Sequence, residues 1–145
     1  MKKKFRRAVF IVAYYKKDDK INYLLLHRKL HWKGWEFPKG GIEPYEDKLK
    51  AAKRELTEET GLKIISIKRY PVSGKYLYSS LIPDRPGVIG QTYTLFSAEV
   101  KPGKISMDKK EHSGYKWVSY KKALELLSFP NKRKCIRIVD KDLRK

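Results

Sequence analysis

The sequence predicts an α/β or α+β chain in which a sheet sits between helical layers. Apolar, β-branched and aromatic runs at residues 5–15 and 21–28 bracket a charged KKDDK turn, as two paired strands would. One segment of helical period, residues 46–60, separates them from three later strand-like runs. Two cap signals, Ser119 and Asn131, then open helical stretches reaching Leu127 and about Leu143. At 145 residues the chain fits one domain, 1–145, long enough to bury a core.

The elements follow in order. KKKFRR leads into AVFIVAYY, a run too short to cross a bilayer and followed by charge rather than by a cleavage site, so it reads as an interior strand. HWKGWEFP, residues 31–38, reads as a loop leading to a PKGG turn. In the helix that follows, Leu49, Ala52, Leu56 and Thr60 form a narrow stripe that can pack on a sheet. Gly61 suits a left-handed C-cap, so Leu62 can start the next strand. Residues 62–70, 75–81 and 91–100 read as strands, and IPDRPGVIG between the last two as an exposed loop. A short strand at 115–118 precedes the two closing helices.

The chemistry concentrates on the first helix. Glu55, Glu58 and Glu59 stand three and four residues apart, so they share a face, where three carboxylates repel one another. A solvated acidic face is one reading. The other is a divalent cation, since Mg²⁺ and Mn²⁺ prefer oxygen ligands. Gly40, five residues, Glu46, seven residues, then Arg54-Glu55-Leu56-Thr57-Glu58-Glu59-Thr60-Gly61-Leu62 meets every fixed position of the Nudix box.

The chain therefore resembles the Nudix hydrolases, which use Mg²⁺ or Mn²⁺ to hydrolyse a diphosphate linked to another moiety. The resemblance implies an α/β/α sandwich around a central mixed sheet. It implies Glu55, Glu58 and Glu59 as catalytic metal-binding carboxylates, the Gly40 carbonyl as a further ligand, and Glu46 with Arg54 as a structural ion pair. Many family members have Gly just before the first box glutamate; Tyr45 stands there, after Pro44, and suggests a less unusual backbone.

Outside the box, WEFPKGGIEP is similar to the segment found both in diadenosine tetraphosphate hydrolases and in enzymes that remove pyrophosphate from RNA 5′ ends. TLFSAEV, Glu111-His112, Tyr115-Lys116-Trp117 and KKALELL resemble the tetraphosphate hydrolases more specifically. That makes Glu111 a fourth catalytic carboxylate and metal ligand, against the alternative of a surface glutamate. Lys39 matches a phosphate-contacting position, or is a plain turn lysine. His31 is either a phosphate ligand or a loop residue, since Gly34 occupies the slot before Trp35 where animal relatives have His. Tyr76 and Tyr78 fall where related enzymes stack a base, and alternation puts both on one face; core packing is the alternative. Tyr93 reads as core, and Arg85 as a phosphate contact or a solvated loop residue.

Composition bounds the partners. Lys and Arg number 35 against 16 Asp and Glu, a net charge of +19, which favours anionic partners or else simply keeps the surface soluble. Much of it lies in Lys2, Lys3, Lys4, Arg6 and Arg7 and near the other end. Cys135 is the single cysteine, so no internal disulfide forms; it reads as packing, and the expectation is a reducing, cytoplasmic compartment without a membrane partner. The leading expectation is asymmetric hydrolysis of diadenosine tetraphosphate to ATP and AMP. Pyrophosphate removal from RNA 5′-triphosphate ends, or hydrolysis of another nucleoside diphosphate derivative, is the alternative. A ligand-sensing module without catalysis is the third reading, disfavoured because every box glutamate is present.

Overall fold

The computed structural model describes residues 3–78 and 82–145. Among these residues, seven strands and three helices follow in the order β1 (Lys4–Lys17), β2 (Lys20–Arg28), β3 (Gly34–Glu36), β4 (Lys39–Gly41), α1 (Lys48–Thr60), β5 (Ile64–Leu77), β6 (Val88–Val100), β7 (His112–Val118), α2 (Tyr120–Leu126) and α3 (Pro130–Leu143). The strands make one sheet in the order β3-β2-β1-β6-β5, with β4 also on β1 and β7 also on β2. β1 and β6 run parallel while the other pairs are antiparallel, so the sheet is mixed.

β1 is buried on both faces from Ala8 to Tyr14, which explains its unbroken apolar run. Val9, Ile11 and Ala13 pack with Ala51, Ala52 and Leu56 of α1. Phe10, Val12 and Tyr14 pack with Ala123 of α2 and with Cys135, Ile136 and Val139 of α3. The result is the expected α/β/α sandwich. Tyr93 lies in the second cluster, its ring stacked 4.3 Å from that of Phe10.

Several local expectations are met. Asp18 and Asp19 both take positive φ in the β1–β2 turn, as a two-residue hairpin requires. Gly61 caps α1 at φ 71°, and Ser119 accepts from the Lys122 N–H at 3.2 Å to start α2.

Others are corrected. The segment 31–38 is not all loop, because β3 forms within it, and β4 forms within the supposed PKGG turn. The runs at 62–70 and 75–81 join as one strand, β5, with an irregular register between Arg69 and Ser73; residues 79–81 lie outside the described ones. Pro71 sits in that irregularity and cannot donate to a ladder, which an edge strand tolerates. Helix α1 begins at Lys48 with Asp47 as its cap, so Glu46 precedes the helix, and Leu49 is exposed rather than packed.

Tyr45 also departs from expectation. Glu43 to Glu46 form a turn closed by the Glu46 N–H to the Glu43 carbonyl at 3.1 Å, and Tyr45 sits in it at φ 66°. Pro at the second position and positive φ at the third make a type II turn, whose third position suits Gly. Tyr45 is fully exposed, so its ring offsets none of the strain. Tyr45→Gly is expected to raise stability by about 0.5–1 kcal/mol, the relief of a left-handed residue less the added freedom of the unfolded chain. A higher urea midpoint at unchanged m-value checks this; a lower midpoint contradicts it.

Candidate functional site

Helix α1 lies against β4, and the approach is close enough that a Cβ on Gly40 would collide with the Glu55 carboxylate. Only glycine lets those oxygens reach the β4 backbone there. Glu55, Glu58, Glu59 and Glu111 line one cavity of about 230 Å³ with Gly40, Lys39 and three arginines, Arg6, Arg28 and Arg85. All four candidate carboxylates thus converge, although Glu111 belongs to the turn before β7.

Their surroundings differ. Glu58 is exposed and pairs with Arg54 at 3.2 Å. Glu55 also pairs with Arg54, at 2.8 Å, yet burial still pushes its carboxyl above the usual range. Glu59 is buried. One of its oxygens accepts the Lys39 N–H at 3.1 Å, and the other has no hydrogen-bond partner. Burial first, and then the negative charges of Glu36 and Glu55, push Glu59 well above its ordinary value. The expected Glu46–Arg54 pair is present as two bonds, at 2.8 and 2.9 Å.

Lys39 is not an exposed turn lysine. Its side chain is buried, with Nζ 3.4 Å from Glu36 and 4.2 Å above the Trp32 ring. Burial pushes its ammonium down to about 7, against the opposing pull of Glu36. Glu36 is wholly buried at the centre of a ring of side chains, hydrogen-bonded by His112 at 3.0 Å and Arg28 at 3.5 Å and flanked by the ammonium groups of Lys39 at 3.4 Å and Lys132 at 3.5 Å. Burial alone would raise the Glu36 carboxyl, but Lys39, His112, Lys132 and Arg28 together hold it far below the usual range.

A second cavity, of about 410 Å³, opens beside this ring, lined by His31, Trp32, Tyr76, Tyr78, Phe129 and Lys132 among others. Tyr76 and Tyr78 face it together, their rings edge to face at 6.2 Å, as alternation requires. Tyr76 also packs against the core, so both readings of it hold at once. Arg85 joins the two cavities, lining the acidic one while donating to the Tyr78 hydroxyl at 2.9 Å. His31 pairs with Asp84 at 2.9 Å, on the aromatic side.

A family model described as "NUDIX domain" matches residues 4–138. The chain belongs to the Nudix family. An RNA pyrophosphohydrolase of a Nitratiruptor species is 33% identical over 136 residues, covering 88% of this chain and 86% of that protein. Another, of Ectopseudomonas mendocina, is 32% identical over 128 residues, covering 80% and 77%. Among solved structures, a C. elegans Ap4A hydrolase binary complex superposes with a TM-score of 0.77 at 23% identity, covering 96% of this chain and 98% of that one. At that identity the likeness shows the shared fold.

Nudix hydrolases use divalent metals, and the residues here fit one. Glu59, Glu111 and His112 offer ligand atoms that all lie within 4.8 Å of one another, and the spare Glu59 oxygen is among the buried atoms that lack a partner. Oxygen-rich sites of this kind suit hard cations.

The sequence reading did not find Glu36, Arg28, Trp32, Lys132, Arg6 or His112 as parts of the site. Glu36 was hidden in a supposed loop, and Arg28 looked like a strand end. Lys132 arrives from α3, more than ninety residues along the chain from Glu36. No local spacing signals such a meeting.

The raised Glu59 pKa sets a pH dependence for the metal-free protein. Because the folded state holds this proton above the unfolded value near 4.5, stability falls as pH rises from about 4.5 through the raised value. Glu55 acts with the same sign, whereas Glu36 and Glu46, both depressed, cost stability only below about 4.5. Urea midpoints measured with a chelator from about pH 4.5 to 6.5 should therefore fall in the wild type and fall less in Glu59→Gln. Parallel curves would show that Glu59 carries no such burden.

Proposed function

We propose that this chain is a metal-dependent pyrophosphohydrolase that hydrolyses the 5′-polyphosphate of a nucleotide, with RNA 5′ ends as its substrate class. The observation that carries the reading is the continuity of three surfaces: an aromatic cavity, a cationic wall and a carboxylate cluster joined through Arg85, Lys39 and Trp32. That order matches base, phosphates and cleavage point. The RNA 5′ end is supported by the relatives named RNA pyrophosphohydrolase and by the net charge of +19.

In this reading Glu55, Glu58, Glu59 and Glu111, with the Gly40 carbonyl, would hold Mg²⁺ or Mn²⁺. When bound, such ions supply the positive charge that offsets phosphate repulsion and acidify water. Water attacks a phosphorus of the chain, the phosphoanhydride bond breaks, and one of the four carboxylates takes the water proton. Arg6, Arg28, Arg85 and Lys39 face the phosphates and stabilise the charge left on the departing oxygen. Tyr76 and Tyr78 stack a base, which contributes about 1–3 kcal/mol per base. His31, tied to Asp84, borders that cavity and orients its wall.

Diadenosine tetraphosphate, which the motif resemblance ranks first, is the second reading. Glu111-His112 ahead of the Tyr115-Lys116-Trp117 strand favours it, and its adenine and phosphates would use the same surfaces. The sequence relatives move the weight to RNA, since the structural likeness to an Ap4A hydrolase carries only the fold.

A substrate panel with and without Mg²⁺ tests this. A 5′-triphosphorylated oligoribonucleotide should yield a 5′-monophosphate end and pyrophosphate, with all turnover abolished by a chelator. Faster cleavage of diadenosine tetraphosphate to ATP and AMP would establish the second reading, and no phosphoanhydride cleavage of any substrate would refute both. Glu58→Gln should lower kcat by about 10²–10⁴-fold. Because Glu58 is exposed, its melting temperature should stay near that of the wild type. Undiminished turnover would remove Glu58 from the machinery.

A further inference from the structure

Away from the catalytic cleft, on the face of the sheet that carries α1, strand register sets three side chains in a row. Arg7 of β1 pairs with Thr92 of β6, and Thr92 pairs with Lys75 of β5. At strand spacings of about 4.8 Å, the two cations flank the hydroxyl across roughly 10 Å. The next row along places Thr94 beside Ser73, a pair of hydroxyls about 7 Å further on. These rows floor a groove of about 420 Å³, and Lys48, in the first turn of α1, forms its wall.

We propose that this groove takes the phosphodiester backbone of RNA beyond its 5′ end; the inference rests on the RNA reading above and names where the body of that substrate runs. Charge complementarity is the first argument. Among the described residues no carboxylate lines the groove, and none of Arg7, Lys48 and Lys75 is in a salt bridge. The acidic cleft, by contrast, mixes both signs. Lys75 Nζ lies 4.9 Å above the ring of Phe5, two residues from Arg7, which holds its ammonium over the sheet rather than out in solvent.

The second argument is the helix itself. Its first turn brings Lys48 to the groove, while the carboxylate at that end, Asp47, is committed as the N-cap and accepts the Lys50 N–H at 2.8 Å. The third is what the groove lacks. The only aromatic lining it among the described residues, Tyr93, is buried against Phe10, so no base can stack on it, and hydroxyls with cations suit phosphates irrespective of sequence. Ile42, also at its edge, lies two residues from Gly40, so the groove starts within about 7 Å of chain from the cleavage site.

The test uses the full chain and the double variant Arg7→Gln/Lys48→Gln, two groove positions that line neither of the other cavities, with Lys16→Gln/Lys17→Gln as a charge-matched control about 30 Å away along β1. Binding of a 5′-hydroxyl oligoribonucleotide of about twelve nucleotides, followed by fluorescence anisotropy at several salt concentrations, should weaken about tenfold in the groove variant, with a log–log salt slope smaller by about 1.4. Its kcat/KM should fall on a long 5′-triphosphorylated RNA and stay near wild type on a 5′-triphosphorylated dinucleotide. An unchanged slope, an equal loss in the control variant, or equal losses on the long and short substrates would overturn the groove. Because the 5′-hydroxyl RNA is not a substrate, the binding assay is read independently of catalysis. Groove-dependent RNA binding without RNA hydrolysis supports the groove and sinks the catalytic reading instead.

Discussion

The guanidinium of Arg54 is the contact on which the site depends. Its Nε and Nη2 bond both oxygens of Glu46, Nη2 also reaches the Gly41 carbonyl at 2.9 Å, and Nη1 bonds Glu55 and Glu58. One side chain thereby joins β4, the turn after it and two turns of α1. The turn carboxylate responds: Arg54 first, with help from the Glu43 backbone, holds Glu46 down at about 2. Lysine could not replace it, since only a planar fork reaches this many acceptors at fixed angles. Locked this way, α1 presents its acidic face to Gly40 instead of swinging it into solvent, where carboxylate repulsion would otherwise drive it.

A second balance operates one layer deeper. Ionised groups are costly to bury unless paired, and Glu36 is paired several times over. Seen from the cations, however, pairing is incomplete. Lys39 and Lys132 share the Glu36 carboxylate with Arg28, which also reaches Glu111 at 3.9 Å, and burial lowers both lysines toward neutrality. Trp32 relieves part of this with its ring face, 4.2 Å from Lys39 and 4.8 Å from Arg28. What remains is unspent positive charge between the aromatic cavity and the acidic one, where a phosphate chain would complete the pairing. Glu59 is the mirror image, a buried carboxylate with a spare oxygen that a cation would complete.

Legibility followed the range of the interactions. The acidic face of α1, its Gly61 cap and the alternation of Tyr76 and Tyr78 depend on residues a few positions apart, and the sequence displays them directly. β3 and β4 do not, because strands of three residues exist only through pairing with β2 and β1. Leu49 misled for a related reason: it follows the cap so closely that the helix has not yet reached the sheet. The Glu36 ring was invisible since its members come from β2, β3, β4, β7 and α3. Tyr45 was misread because a type II turn imposes its backbone whatever the side chain.

The same ring bears on which ion the carboxylates prefer. His112 stands near enough to Glu59 and Glu111 to look like a nitrogen ligand. Yet its Nε2 lies 3.0 Å from Glu36 and 3.8 Å from Glu59, so its hydrogen bond belongs to Glu36. To turn toward a metal it would have to give up its 3.0 Å hydrogen bond to a fully buried carboxylate. With that nitrogen committed, the acidic groups lining the cavity are the carboxylates of Glu55, Glu58, Glu59, Asp108 and Glu111. Imidazole and thiolate are what draw zinc and copper, whereas an all-oxygen set suits Mg²⁺ or Mn²⁺. Glu36 therefore holds the Nε2 of His112, and an ion at the carboxylates would meet mainly hard oxygen donors.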